Sequence, residues 1–287
     1  MSLSTSLRQQ LTSDRMLVAP GAYDAIGARL VAQAGFDAVY MTGAGTSAAS
    51  GFPDFGLVTM TEMVDNAAKM AAAVQVPLIA DADTGFGNEL NVTRTVRAYE
   101  ANGVAAIHIE DQESPKRCGH LDGKLVISRE QFVSKIRAAS EASRSADFVI
   151  IARTDSRATL GLEEAIWRAN AALKAGADMA FVEAAQSIEE LASIPQRVCG
   201  PCLLNMVQGG KTPTISMQSA EQMGYKLAIV PGLMLMAAVQ AGEAALTHLR
   251  STGVPPDTGM TVNELFQRFG SDEWNDLRER FNAGSRS

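Results

Sequence analysis

Cysteine and histidine are scarce in this 287-residue chain, with three of each. Cys118, Cys199 and Cys202 make no disulfide framework, which fits a reducing compartment. Positive charge is also in deficit. A net charge of -7 and a pI near 5.1 argue against a nucleic-acid partner, because phosphate binding needs concentrated positive charge. The same deficit means that an anionic substrate needs a local cluster of cations or a metal ion to overcome the overall field. Long apolar runs are missing too. The most apolar stretch, 227–241, is interrupted by Pro231, Gly232 and Gln240 and is too short to span a bilayer comfortably. Residues 1–15 are polar and lack the apolar core of a signal peptide. There is no low-complexity segment and no interdomain linker. These absences predict a soluble cytoplasmic protein, with no membrane and no nucleic-acid partner, folded as a single domain over 1–287.

What is present is a repeated alternation. Short apolar runs at 16–20, 38–41, 77–81, 105–109, 148–153, 179–183, 202–205 and 227–230 read as strands covered on both faces. Helical patterns at 25–34, 61–74, 90–102, 129–142, 162–175 and 188–194 lie between them. Eight such strands predict an α/β fold, a (β/α)8 TIM barrel, with a doubly wound open sheet as the alternative. Gly35, Gly103 and Gly176 each close a helix just before a strand, as a left-handed glycine cap does. After the eighth strand come an apolar helix at 233–250, the pair Pro255-Pro256, and an amphipathic segment, 261–282, read as an extra C-terminal helix. That segment packs either on its own barrel or on a neighbouring subunit.

In such a barrel the chemistry collects at the C-terminal ends of the strands. Here those ends are polar: Tyr40-Met41-Thr42-Gly43-Ala44, Asp81-Ala82-Asp83, His108-Ile109-Glu110-Asp111, Arg153-Thr154-Asp155, Glu183 and Asn205. Asp81 and Asp83 alternate, so both can point to one side. With Glu110 they form a histidine-poor set of oxygen donors suited to Mg²⁺ or Mn²⁺ rather than zinc. The competing role for either aspartate is to cap the next helix. His108 is either a ligand or a hydrogen-bonded core residue. Gly43-Ala44-Gly45-Thr46 lacks the third glycine of a dinucleotide fingerprint, although its amides can bind a carboxylate or phosphate. Cys199-Gly200-Pro201-Cys202 spells a redox pair, but it leads into a strand instead of opening a helix, so it reads as a turn. The densest signal is Lys116-Arg117-Cys118-Gly119-His120: a thiol among cations, in a field expected to favour thiolate and make its proton transferable.

These residues together resemble the isocitrate lyase / phosphoenolpyruvate mutase superfamily over roughly 7–280. The markers are Asp81-Ala82-Asp83-Thr84-Gly85-Phe86-Gly87, His108-Ile109-Glu110-Asp111-Gln112, Lys116 to His120, and Ile151-Ala152-Arg153-Thr154-Asp155. The resemblance implies a TIM barrel, a Mg²⁺ (or Mn²⁺) ion, a mobile lid loop at 112–126 that closes over the site, and a homotetramer that exchanges the last helix between subunits. Cys118 points to the carbon–carbon lyase branch, since the phosphorus–carbon mutases and hydrolases lack it. Asn205-Met206-Val207-Gln208-Gly209-Gly210-Lys211 is similar to the dimethylmalate lyases and the plant petal-death-type enzymes. Met236 and Val262 stand where methylisocitrate lyases would place extra arginines.

The implied substrate is a small 2-hydroxy dicarboxylate, a 2-alkylmalate. The implied metal ligands are Asp83 directly and Asp81, Asp54 and Glu110 through water. Thr42, Gly43, Ala44 and Arg153 would hold the 2-oxo-acid half, and Glu183, Asn205 and Gly119 the second carboxylate, with Phe181 beside the substrate. Tyr40 is the implied base, against the reading of a core tyrosine. Cys118 is the implied acid, tuned by Lys116 and His120. The alternatives are methylisocitrate cleavage, hydrolysis of oxaloacetate to oxalate and acetate, phosphonate chemistry, and a non-catalytic paralogue.

Overall fold

The structure, a computed structural model, describes residues 2–121 and 123–283; Met1, Asp122 of the expected lid, and 284–287 lie outside the described residues. Two units are separable, 1–235 and 236–287.

The first unit is a closed barrel of eight parallel strands in sequence order. They are β1 (Leu17–Ala22), β2 (Val39–Met41), β3 (Leu78–Asp81), β4 (Ala106–Glu110), β5 (Val149–Thr154), β6 (Met179–Val182), β7 (Cys202–Asn205) and β8 (Leu227–Val230). The pairing of Leu17 with Leu227 and Pro20 with Val230 closes the sheet and excludes the open alternative. All eight expected strands are present, β7 and β8 at the expected bounds and the other six shifted by a residue or two at one or both ends.

Alternation along each strand separates two cores. Inside the barrel lie Tyr40, Ile79, Ile151, Phe181, Leu203 and Ile229, with Leu7 and Leu11 of the helix Leu3–Leu11 in the same cluster. Outside, Ile107, Ile109 and Ile150 meet Met63, Val96 and Phe132 on the surrounding helices. The helices start where side chains can satisfy their free amides. Thr59 with Glu62, Asn88 with Asn91, and Ser128 with Gln131 form capping boxes. They stop where expected: Gly35, Gly103 and Gly176 have φ of 85°, 80° and 110°.

Short helices that no long apolar period announced fill several loops: Gly43–Ala49, Ser156–Leu160 and Met217–Met223. Gly200-Pro201 is a turn into β7, with Cys199 exposed and Cys202 buried on the strand, as the sequence suggested. The second unit contains most of the helix Leu233–Thr252, followed by Val262–Gln267 and Ser271–Ala283. The single helix expected over 261–282 is therefore two, because Gly270 at φ 85° breaks it. Among the described residues no helix is long and apolar enough to cross a membrane.

One position shows how tightly the barrel closes. A Cβ on Gly21 would lie 2.4 Å from the Pro231 carbonyl oxygen, backbone against backbone. Gly21→Ala is expected to destabilise the barrel by ~1–3 kcal/mol or more, as overpacking does. Urea unfolding followed by circular dichroism checks this; an unchanged midpoint would show that β1 and the end of β8 can part at no cost.

Candidate active site

The interior face of each strand continues upward from apolar to polar residues at the period of two. Ile79 is followed by Asp81, His108 by Glu110, Ile151 by Arg153, Phe181 by Glu183 and Leu203 by Asn205. A cavity of about 110 Å³ opens there, lined by Tyr40, Thr42, Ala44, Asp54, Asp81, Cys118, Gly119, His120, Arg153, Glu183 and Asn205, with Val207, Pro231, Gly232 and Leu235 as its apolar wall. Most of the residues singled out from the sequence thus meet at one place.

On one side, Tyr40 Oη lies 2.8 Å from His108 Nε2 and donates weakly to Asp81 Oδ2 at 3.5 Å. Asp81 accepts the amides of Gly43 (3.2 Å) and Asp83 (2.9 Å). Thr42 caps the helix Gly43–Ala49 by accepting the Gly45 amide, and the Gly43 amide is already engaged by Asp81. Lys116, almost fully buried, sets its ammonium between Asp54 Oδ1 (2.5 Å) and Asp83 Oδ1 (2.7 Å). Across the mouth, Arg153 Nε lies 3.2 Å from Glu110 and donates to Asp155 Oδ2 at 2.9 Å, and its guanidinium stands over the Phe181 ring at 5.1 Å.

The lid is docked. The Cys118 amide donates to the Asp54 carbonyl (3.1 Å), Gln112 brackets Arg117 from both sides, and His120 Nε2 lies 2.8 Å from Glu183 Oε1. The Lys211 amide donates to His120 Nδ1 at 3.0 Å. Gly119 is pressed against the floor: a Cβ there would fall 2.4 Å from Arg153 Nη2.

A model of the phosphoenolpyruvate phosphomutase family matches residues 7–250. The chain belongs to the isocitrate lyase / phosphoenolpyruvate mutase superfamily. It is 43% identical over 288 residues, 99% of this chain and 100% of the relative, to 2,3-dimethylmalate lyase of Eubacterium barkeri. It is also 43% identical over 262 residues, 91% of this chain and 83% of the relative, to 2-methylisocitrate lyase of Aeropyrum pernix. Among solved structures, an oxaloacetate acetylhydrolase in complex with the inhibitor 3,3-difluorooxalacetate superposes with a TM-score of 0.95 at 40% identity, covering 98% of this chain and 97% of that one.

Within this family frame, several expected roles change. Phe181 is fully buried beneath Arg153 and edge-on to His108, and it is not part of the cavity lining. Asn205 directs its amide to both Glu183 oxygens, at 3.2 and 3.1 Å. Glu183 is itself held ionised: burial opposes this, but Arg153 and His120 outweigh it. Glu183 lines the cavity and holds His120 and Asn205. Lys124, missed from the sequence, is buried and reaches Asp155 at 2.9 Å. In sequence it is one lysine in a polar loop, with no spacing to mark it.

Four carboxylates, Asp54, Asp81, Asp83 and Glu110, flank the mouth. Among the described residues no three histidine, cysteine or acidic side chains converge on one metal-sized point. A Mg²⁺ that keeps several waters does not require such convergence. Two features fit a cation. Buried Glu110 Oε1 has no hydrogen-bond partner, and the Lys116 ammonium already stands as a positive charge between Asp54 and Asp83. Burial, with Asp81 and Asp54 adding repulsion against the pull of Lys116, raises Asp83 to about 6. Burial also pushes Glu110 well above the usual carboxylate range, and lowers His108 to about 4 with help from Arg153 and Lys116.

The thiolate expected at Cys118 is overturned. Burial pushes the thiol up, because the neighbouring cations face elsewhere: Lys116 toward Asp54 and Asp83, and the Arg117 guanidinium toward the Phe55 ring. Burial thus favours the neutral S–H at Cys118, the form able to give up a proton. Its alkylation by iodoacetamide is expected to rise continuously above pH 9 without an earlier plateau. A plateau already reached near neutral pH would show a thiolate and reject this assignment.

Proposed function

We propose that the chain is a divalent-cation-dependent carbon–carbon lyase that cleaves a 2-hydroxy dicarboxylate, a 2-alkylmalate such as 2,3-dimethylmalate, into a 2-oxo acid (pyruvate) and a carboxylate. The observation that carries this reading is the placement of a neutral thiol, Cys118, over a cavity floored by Arg153 and walled by Val207, Pro231 and Leu235. The full-length likeness to 2,3-dimethylmalate lyase supports it. The apolar wall has room for an alkyl group and provides no cation for a third carboxylate, which disfavours methylisocitrate.

The residues divide the work. Arg153, with the wall around Thr42 and Ala44, binds the 2-oxo-acid half. Tyr40 Oη takes the proton of the 2-hydroxyl while its own passes toward His108 Nε2, 2.8 Å away. As C2 becomes a carbonyl, the C2–C3 bond breaks and its electron pair moves onto C3 as an enolate of the adjacent carboxylate. The Cys118 S–H gives its proton to C3. Lid amides around Gly119 and His120 face the second carboxylate, and the docked lid excludes water that would protonate the enolate at random. Asp83 would hold Mg²⁺ or Mn²⁺ directly, with Asp81, Asp54 and Glu110 acting through water; the bound cation supplies Lewis-acid stabilisation of negative oxygen.

This reading includes a small-dicarboxylate partner, a cytoplasmic location and a homotetramer. The second unit exposes Val239, Leu246, Phe266 and Trp274, an apolar set that a neighbouring subunit would cover. The lid reading over 112–126 and the role of 261–282 in exchange belong to the same proposal.

The test is a panel of 2-alkylmalates, methylisocitrate, isocitrate and oxaloacetate with Mg²⁺, read by 2-oxo-acid release. Pyruvate from a 2-alkylmalate is expected, and Cys118→Ala should lower kcat by ~10²–10⁴ while the protein stays folded. Oxalate and acetate from oxaloacetate, with no pyruvate from any malate, would replace this reading with the hydrolase one; a fully active Cys118→Ala would remove the thiol's role.

A second expectation follows from Asp83. Its proton persists up to about 6 in the cation-free protein, so below that pH a cation must displace it. Mg²⁺ affinity, measured by calorimetric titration, should fall about tenfold per pH unit below 6, as competition with one proton requires. A flat affinity between pH 5 and 7 would remove Asp83 as the direct ligand.

A further inference from the structure

Among the buried cations that the mechanism leaves unused, Lys124 stands at the barrel mouth. Lys124 has a side chain only 1% exposed, and its ammonium donates to the Gly119 carbonyl and to Asp155 Oδ1, the latter at 2.9 Å. Gly119 belongs to the lid, whereas Asp155 follows β5 and is part of the barrel. Asp155 also carries Arg153: Oδ2 accepts from Nε at 2.9 Å, and Oδ1 accepts from Nη2 at 3.2 Å. One carboxylate oxygen is therefore shared between the lid's ammonium and the guanidinium that faces the cavity.

The other lid contacts go to other groups: Lys116, also a buried ammonium, pairs with Asp54 and Asp83. Cys118 is tied to Asp54 by backbone, and Arg117 to Gln112 within the lid itself. His120 meets Glu183 and the Lys211 amide. Lys124 alone among these reaches the Arg153–Asp155 pair while gripping the backbone beside Cys118.

We propose that Lys124 is a positioning residue: a latch that fastens the lid onto Asp155, so that Cys118 is presented to the cavity only while Arg153 is held in its working orientation. Opening the lid would drag the ammonium out of its buried site, and the same motion would leave Arg153 as the only cation on Asp155. Closure and anion binding then share one carboxylate, and each favours the other. This latch rests on the lyase reading for its purpose, although the lid-to-barrel contact it names does not depend on which substrate is cleaved.

The test is alkylation of Cys118 by iodoacetamide in the ligand-free protein, followed by peptide mass spectrometry. Lys124→Met should accelerate the reaction roughly ten- to hundredfold, the equilibrium equivalent of one buried charge-assisted hydrogen bond, with the pH midpoint of alkylation unchanged. Lys124→Arg, which keeps a donor for Asp155, should return most of the protection. An unchanged rate in folded Lys124→Met overturns the latch, and so does acceleration that comes with a shifted midpoint, which would mean altered thiol electrostatics. The wild-type protein offers a check that needs no variant. Reductive methylation with formaldehyde and cyanoborohydride should modify Lys124 far more slowly than the exposed Lys69 and Lys174; equal rates would show that the lysine is not held and overturn the proposal. The panel of malates separates the two ideas: lyase activity with unaltered alkylation removes the latch and keeps the function, while faster alkylation with no turnover of any malate keeps the latch and removes the function.

Discussion

A set of carboxylates and a set of cations are buried together at the barrel mouth, and neither set could stay there charged without the other. Asp81, Asp155 and Glu183 remain ionised under burial because Arg153, Lys116 and Lys124, and at Glu183 the His120 hydrogen bond, offset it. Burial on its own would push each carboxylate up toward protonation. Asp83 and Glu110, left with less compensation, are pushed that way. The mouth is therefore short of positive charge near Asp83 and Glu110, and that is where the donor set fits a divalent cation. Removing one member of a buried pair typically costs ~3–5 kcal/mol because the survivor is stranded. The same charges thus govern stability, cation affinity and substrate orientation, and none of the three can be changed in isolation.

The fold makes this concentration of charge tolerable. Asp81, Arg153 and Glu183 are the next interior positions above well-packed Ile79, Ile151 and Phe181, Asn205 lies above Leu203, and Glu110 lies above buried His108. Phe181 illustrates the join: its ring packs edge-on to His108 and carries the Arg153 guanidinium on its face. The lid then closes the layer from above. Gly119 is the contact point, where any side chain would strike Arg153 and Glu183. Water is excluded on both sides, which strengthens each electrostatic contact within.

Much of this was legible in the sequence because strands and helices impose simple periods. The eight apolar runs, the three glycine helix stops and the polar residues just past each run placed the barrel and its active end. Asp81, Glu110, Arg153, Cys118 and His120 were visible as chemistry at predictable strand ends or in one dense motif. What escaped depends on contacts distant in the chain. Lys124 meets Asp155 across 31 positions, and no local pattern announces that. The direction of the Cys118 shift escaped for the same reason: Lys116 and Arg117 are neighbours in sequence, yet their charges point toward Asp54, Asp83 and Phe55. Phe181 and Asn205 looked like substrate contacts from their strand positions, but their side chains support Arg153 and Glu183. The break at Gly270 was missed because an amphipathic period continues through it.

Several exceptions to ordinary folding rules lie on the rim of the barrel mouth. Asp83 and Ala184, at φ 46° and 59°, adopt a left-handed backbone that non-glycine residues seldom tolerate, directly after β3 and just past β6. Glu110 Oε1 is buried without a hydrogen-bond partner, and His108 Nδ1 is too. Elsewhere in the barrel most helices start at a side-chain cap, the strands pair in register and the core is apolar. Strain and unmet polarity of this kind cost of order 1–3 kcal/mol at each position, so they persist only where the surrounding structure enforces them. Those on the rim that holds Asp81, Asp83, Glu110 and Glu183 fit the proposed site, with positive charge beside Asp83 and Glu110 and an organic anion over the cavity; Arg8 Nε and Gln10 Oε1, also buried without a partner, lie on the helix Leu3–Leu11.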